Sequence, residues 1–233
     1  MVKQKTMISM AEQLSFELPV KAASGRDAFF ISDANRTAVS MLENSAQWPQ
    51  KKMILLGPKK CGKTHLLKIW IKENEALKID PLNDFDQPSD GASVVVDNIQ
   101  DMAGISAAET RMFHLHNHLH STGGFLLMAS NMLISQSGFQ LADLLSRLQG
   151  ISCTTVQRPD DKLLRAVLLK AFMDRQLSPP PTVFDYILKN MSRSFAAAFD
   201  IVKQLDAKSL AENRPISRGM ATNILHNSIS HDY

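Results

Sequence analysis

GPKKCGKT, residues 57–64, stands between the short apolar run MILL (53–56) and the helical stretch THLLKIWIKENEAL (64–77). The eight residues match G-x-x-x-x-G-K-[ST], and a strand before with a helix after is the context that pattern requires. In that setting the backbone N–H groups of the loop and the N-terminus of the helix converge on phosphate oxygens. Gly57 and Gly62 bracket the loop, and Gly62 allows its backbone to approach a ligand closely. Lys63 is placed to reach the β/γ-phosphates and the Thr64 hydroxyl to hold Mg²⁺. Lys60, Cys61 and His65 complete the candidate nucleotide-binding stretch, with ADP or ATP as ligand.

A phosphate loop of this kind needs a second strand that ends in an acid, and VVVDN (94–98) supplies it. Asp97 is placed to bind the metal, directly or through water. Many ATPases of this broad class carry an acid at the following position, where this chain has Asn98. An amide cannot take a proton as a carboxylate does, so intrinsic hydrolysis is expected to be slow or absent, unless the base lies elsewhere.

Working outward, the hydrophobic period switches repeatedly between strand-like and helix-like. SVVV (93–96), FLLMAS (125–130) and ISCTTV (151–156) read as buried strands alongside MILLG (53–57). Ser106 with Glu109 reads as a capping box opening a helix through about residue 120, and Gly123-Gly124 ends it. LADLLSRL (141–148) places leucines on one face of a short amphipathic helix. This alternation predicts an α/β fold with a mainly parallel five-stranded sheet covered on both faces, a three-layer αβα core. After Pro159 the strands stop, and 160–175, 182–190, 193–211 and 217–229 read as helices, with Ser192 a candidate cap of the third. The predicted organisation is an N-terminal tail (1–25), a nucleotide-binding core (26–158) and a small all-α lid (159–233).

Bulk properties narrow the classes. The chain has 233 residues, 44% apolar and 21% charged, the values of an ordinary globular protein. A net charge of +3, from 26 basic against 23 acidic residues, is too balanced to imply a nucleic-acid surface. No apolar run approaches a membrane span, and MVKQKTMISM lacks the core of a secretory signal. Two distant cysteines, Cys61 and Cys153, make no disulfide framework, so a cytoplasmic location is expected. HLHNHLH (114–120) contains two i,i+4 histidine pairs, His114/His118 and His116/His120. They fall on roughly opposite helix faces, so four ligands cannot converge, and they read as ordinary helix residues.

Together the motifs resemble the AAA+ ATPases, and within them the DnaA initiator clade. GPKKCGKTHLL resembles its Walker A segment and VVVDNIQDMAG its Walker B segment. FLLMASNM resembles the sensor 1 strand, LADLLSRL the arginine-finger helix and MSRSFAAAFDIVKQLD the sensor 2 helix of the lid. The resemblance makes Asn131 the sensor 1 residue near the γ-phosphate and Arg193 the sensor 2 residue reaching the phosphates from the lid. It makes Arg147 an arginine finger acting in trans on a neighbour's nucleotide, a role worth about 10³–10⁵ in rate. FFISDAN (29–35) resembles the segment that helps enclose the adenine.

Two features point to a regulatory branch of the clade. No DNA-reading helix-turn-helix domain is expected after the lid. QLSFEL (13–18) resembles the peptide with which bacterial proteins dock into the β sliding clamp, through Gln13, Leu14, Phe16 and Leu18. The same alternation would also suit an edge strand. The resemblance implies a regulator that, held on the DNA-loaded clamp, stimulates ATP hydrolysis by the DnaA initiator. DNA is then met only through the clamp, no membrane is involved, and a homo-oligomer is allowed. The rival readings are an autonomous ATPase such as a helicase loader, and a DnaA-like DNA-binding module. The span from Thr64 to Asp97, about thirty residues, is short for the clade. Segment 78–92 stands where the clade has a strand, a helix and their connections, so the elements the initiator uses for assembly and single-strand DNA are expected to be missing.

Overall fold

The computed structural model describes residues 20–21 and 29–229, so the peptide 13–18 lies outside the described residues. The described chain begins with β1 (Val20–Lys21), paired antiparallel with β2 (Phe29–Phe30). There follow α1 (Arg36–Glu43), β3 (Lys52–Leu56), α2 (Lys63–Glu73), β4 (Leu77–Lys78), β5 (Ser93–Val96) and α3 (Ser106–Ser121). The core closes with β6 (Phe125–Ser130), α4 (Ala142–Gln149) and β7 (Cys153–Thr155). Strands β3 to β7 form one five-stranded sheet in the order β4-β5-β6-β3-β7, every neighbouring pair parallel. The expected three-layer architecture is present.

Strand alternation explains the layers. Met53, Leu55, Val95, Leu127 and Ala129 pack with α1 and α2 around Leu67 and Trp70. Their neighbours Ile54, Val94, Val96, Leu126 and Met128 face the other way, onto Met112, Leu115 and Leu119 of α3 and Leu144 and Leu148 of α4. A strand buried on both faces reads as a continuous apolar run, which is how these strands read.

Several local expectations need correction. Helix α2 stops at Glu73, where the Asn74 side chain caps the Trp70 carbonyl at 3.0 Å. Glu75 turns left-handed (φ 49°), and Leu77 joins Lys78 as an edge strand. The capping box at Ser106 does not form: Ile105 is the cap residue and no side chain caps the helix. Glu109 instead turns inward, is 1% exposed, and accepts from the backbone N–H groups of Gly104 (2.7 Å), Gln140 (3.1 Å) and Leu141 (2.6 Å). Beyond β4 the chain crosses α3 as an irregular strap. Arg111 holds it by the Pro81 and Leu82 carbonyls and Asp84, and His118 by Gln87 and the Pro88 carbonyl.

The lid comprises α5 (Asp161–Met173), α6 (Pro181–Asn190), α7 (Phe195–Ala211) and α8 (Arg218–Ile229) around a core of its own. Ser194 rather than Ser192 caps α7, accepting from the Ala197 N–H at 3.1 Å. Phe30 packs against this lid core, and the β1–β2 ladder starts ahead of residue 26, where the sequence placed the tail's end.

The histidines of α3 divide as their spacing implies, and no metal-holding group occurs among the described residues. His116 is buried and stacked on His120 with centroids 6.4 Å apart. Burial, then the neighbouring Lys52 ammonium, pushes His116 from 6.5 down to about 4. The unfolded chain therefore binds a proton that the folded chain refuses between pH 6.5 and 4. Stability contributed by neutral His116 is complete above the upper limit and falls as the pH drops through this window. Urea titrations at pH 7 and pH 5 should show about 2 kcal/mol of this loss in the wild type and none of it in His116→Leu.

Candidate nucleotide-binding site

The phosphate loop leaves the C-terminal end of β3. The Gly57 N–H donates to the Ser130 carbonyl at 3.1 Å, and a Cβ at this position would lie 2.2 Å from the Val156 carbonyl oxygen. Only glycine fits where β3, β6 and the end of β7 crowd together. Gly62 takes a left-handed conformation (φ 107°) as the cap of α2, and a Cβ there would meet the Phe195 ring at 2.5 Å. Lys63 is buried, its Nζ donating to the Gly57 (2.7 Å) and Pro58 (3.0 Å) carbonyls at the floor of the loop. Cys61 is buried behind it, with Sγ 3.9 Å from that ammonium.

Thr64 Oγ1 donates to Asp97 Oδ2 at 2.9 Å, joining loop and second strand as the sequence predicts. Asp97 Oδ1 is buried without a partner among the described residues. A buried carboxylate oxygen without a donor calls for one from outside the chain. One hydroxyl and one carboxylate form the sparse oxygen set that Mg²⁺ takes together with waters and phosphates. The residues present fit that ion.

In front of the loop lies a cavity of about 470 Å³, within the range of small-molecule sites. Lys59, Lys60, Gly62, Lys63, Thr64 and His65 form one wall. Asn98, Gln100, Asp101 and Asn131 form the other, and Phe195 and Ala196 reach over from the lid. Asn131, the sensor 1 candidate, donates its backbone N–H to Gln100 Oε1 at 3.2 Å. Gln100, Asp101, Phe195 and Ala196 were not read from the sequence as site residues. For the first two the available signal was their position one turn after Asp97, in the 3₁₀ turn Ile99–Met102.

Arg193 and Arg147 stand elsewhere. Arg193 lines a separate cavity of about 540 Å³ in the lid and pairs with Asp161 at 2.7 Å, the two side chains 49% and 66% exposed. It precedes the Ser194 cap and so lies outside α7. Arg147 lies in the last turn of α4, exposed and away from the phosphate cavity, its Cζ 5.2 Å from the centre of the Phe113 ring. Lys52, buried beneath, has its pKa lowered by burial and then by the charge of Arg147. FFISDAN does not line the phosphate cavity; Asn35 braces it through the Phe30 carbonyl, and Gln157 N–H donates to the Ala34 carbonyl.

Known proteins are similar to this chain in sequence and in fold. The family described as "Hda, lid domain" matches residues 160–225. The chromosomal replication initiator protein DnaA of Bacteroides thetaiotaomicron is 26% identical over 227 residues, covering 85% of this chain. Domain III of the Thermotoga maritima initiator superposes with a TM-score of 0.75 at 20% identity, over 85% of this chain and 94% of that one. The chain thus has the AAA+ fold and is similar to the DnaA initiators over most of its length. AMPPCP-bound DnaA from Aquifex aeolicus gives a TM-score of 0.64 at 19% identity, over 78% of this chain and 65% of that one. The chain spans about half the length of the initiators it matches, 48% for the Bacteroides protein. Among the described residues no helix is long and apolar enough to cross a membrane.

Two variants test the cavity. Lys63→Ala removes the ammonium and should weaken ATP and ADP binding by about 10–100-fold. Gly62→Ala puts a methyl group into the Phe195 ring and should weaken both nucleotides while leaving the far-ultraviolet circular dichroism unchanged. Calorimetric titration of each variant reads the two affinities.

Proposed function

We propose that this chain is a regulator of DNA replication initiation of the Hda type, which stimulates ATP hydrolysis on a DnaA initiator. One observation carries the reading. A complete phosphate loop is combined with an exposed Arg147 that stands away from the chain's own phosphate cavity. A guanidinium so placed can stabilise the charge of a transferring phosphoryl group only on another molecule. The lid match favours this branch over the initiators themselves.

In this scheme residues 13–18 hold the chain on the β sliding clamp, as an extended peptide whose alternate side chains enter pockets. The chain's own adenine nucleotide, with Mg²⁺, ties the loop to the lid. Lys63 and Thr64 hold its phosphates, while Asn131 and Arg193 are the sensor residues. Arg147 then enters the initiator's site, with Phe113 supporting its guanidinium from behind.

Reconstituted initiator-ATP hydrolysis, with and without DNA-loaded clamp, tests both halves. Arg147→Ala should lower the stimulated rate by about 10³-fold or more with its own nucleotide affinity kept. Unchanged stimulation would refute the finger assignment. Gln13→Ala with Leu14→Ala should abolish clamp binding and, with it, the dependence of stimulation on loaded clamp.

A further inference from the structure

Asn98 cannot act as a base, yet the phosphate cavity has a carboxylate on its wall. Asp101 is the one acid among the residues that line it, since Asp97 is held behind with Oδ2 on Thr64. The backbone brings Asp101 there by a specific route. Asn98 turns left-handed (φ 52°) directly after the metal-site strand and opens the turn Ile99–Met102, and the Asp101 N–H donates back to the Asn98 carbonyl at 2.9 Å. The carboxylate is then fixed from the side. Gln100 Nε2 donates to Asp101 Oδ1 at 2.9 Å, while Gln100 Oε1 accepts the Asn131 backbone N–H at 3.2 Å. Two hydrogen bonds thus connect Asp101 with the sensor 1 backbone. Asp101 Oδ2 has no donor among the described residues.

We propose that Asp101 replaces the acid missing at position 98, orienting and deprotonating the water that attacks a nucleoside triphosphate in this cavity. The proposal rests on the nucleotide reading above and adds to it an intrinsic, slow turnover by the chain itself. The water oxygen forms a bond to the γ-phosphorus, and the bond from that phosphorus to the β–γ bridging oxygen breaks. The electron pair of the broken bond leaves on the ADP. The water proton passes to Asp101 Oδ2 and from there to solvent. Gln100 is a positioning residue, because it fixes Asp101 without reaching the reacting atoms. Asp101 is exposed to solvent, and its carboxylate shares one cavity with Lys63, Thr64 and Asn131, the groups that hold and sense the phosphates.

The test uses the whole chain, without initiator or clamp, in excess over ATP and Mg²⁺, so that a single turnover is read. ADP and ADP with aluminium fluoride, a mimic of the phosphoryl group in transit, are titrated in parallel. The wild type should hydrolyse ATP faster than Lys63→Ala. Asp101→Asn should slow that step by about 10²-fold, the usual contribution of a positioned base. It should also bind ADP–aluminium fluoride at least about tenfold more weakly while ADP affinity stays within about twofold, the pattern of an interaction made in the transition state. A wild type no faster than Lys63→Ala overturns the proposal, as does an Asp101→Asn chain equal to wild type in rate and fluoride binding. Equal weakening of ADP and ADP–aluminium fluoride also overturns it, because the carboxylate then serves ground-state binding. Failure of the trans reading would appear only in the initiator assay, so the two outcomes stay separate.

Discussion

The parallel register of three strands is the constraint on which the site depends. Leu56 lies opposite Ser130 and Val96 opposite Met128, so β3, β5 and β6 end at nearly one level. Their next residues, Gly57, Asp97 and Asn131, emerge along a single edge, at the carboxyl ends where open α/β sheets hold ligands. A slip by one residue would exchange the two apolar faces and bury nothing correctly. The two clusters that fix the register, one around Trp70 and one around Met112, therefore also fix how Thr64 and Asp97 meet. Gly57 shows how tight this coupling is, because the space a side chain would need is taken by the Val156 carbonyl.

The placement of α4 hangs on one buried charge. Glu109 accepts from the N–H groups of Gln140 and Leu141, the residues that lead into α4, and from Gly104 at the head of α3. Charge-assisted bonds of this kind are stronger than neutral ones, and a buried carboxylate without them would be strongly unfavourable. The position of Arg147 is thus set by an acid 38 residues earlier in the chain. Lys52, buried with no acid paired to it among the described residues, sets a positive potential below Arg147 and disfavours its guanidinium turning inward.

The architecture was legible because its signals are local and repeated. Apolar runs such as VVV and FLLMA, glycine at fixed offsets, and a lysine-threonine pair at the head of a helix each have one geometric meaning. Glu109 was misread because its spacing from Ser106 suits a capping box, and no sequence pattern reveals that the loop before α4 competes for the same carboxylate. Tertiary contact decided there. Leu77 was absorbed into a helix because two residues are too few to show a strand period; it is the pairing with Val94 that makes them a strand. Asp101 escaped notice because a 3₁₀ turn places residues on the cavity wall that a strand-or-helix reading leaves unassigned.

Arg193 shows where energetics must supplement geometry. Its bond to Asp161 turns it away from the phosphate cavity, but both side chains are about half or more exposed. Such a pair contributes only about 0–1 kcal/mol and is weakened by salt. An arginine–phosphate contact in a partly enclosed cavity is charge-assisted and often bidentate, so a nucleotide within reach competes well against one exposed aspartate. The apolar contact of Phe195 on Gly62 is different in kind. It holds the first turn of α7 over the phosphate loop without spending a charge. The lid thus meets the loop by an apolar contact and carries, two residues earlier, a separate and solvent-screened ionic pair.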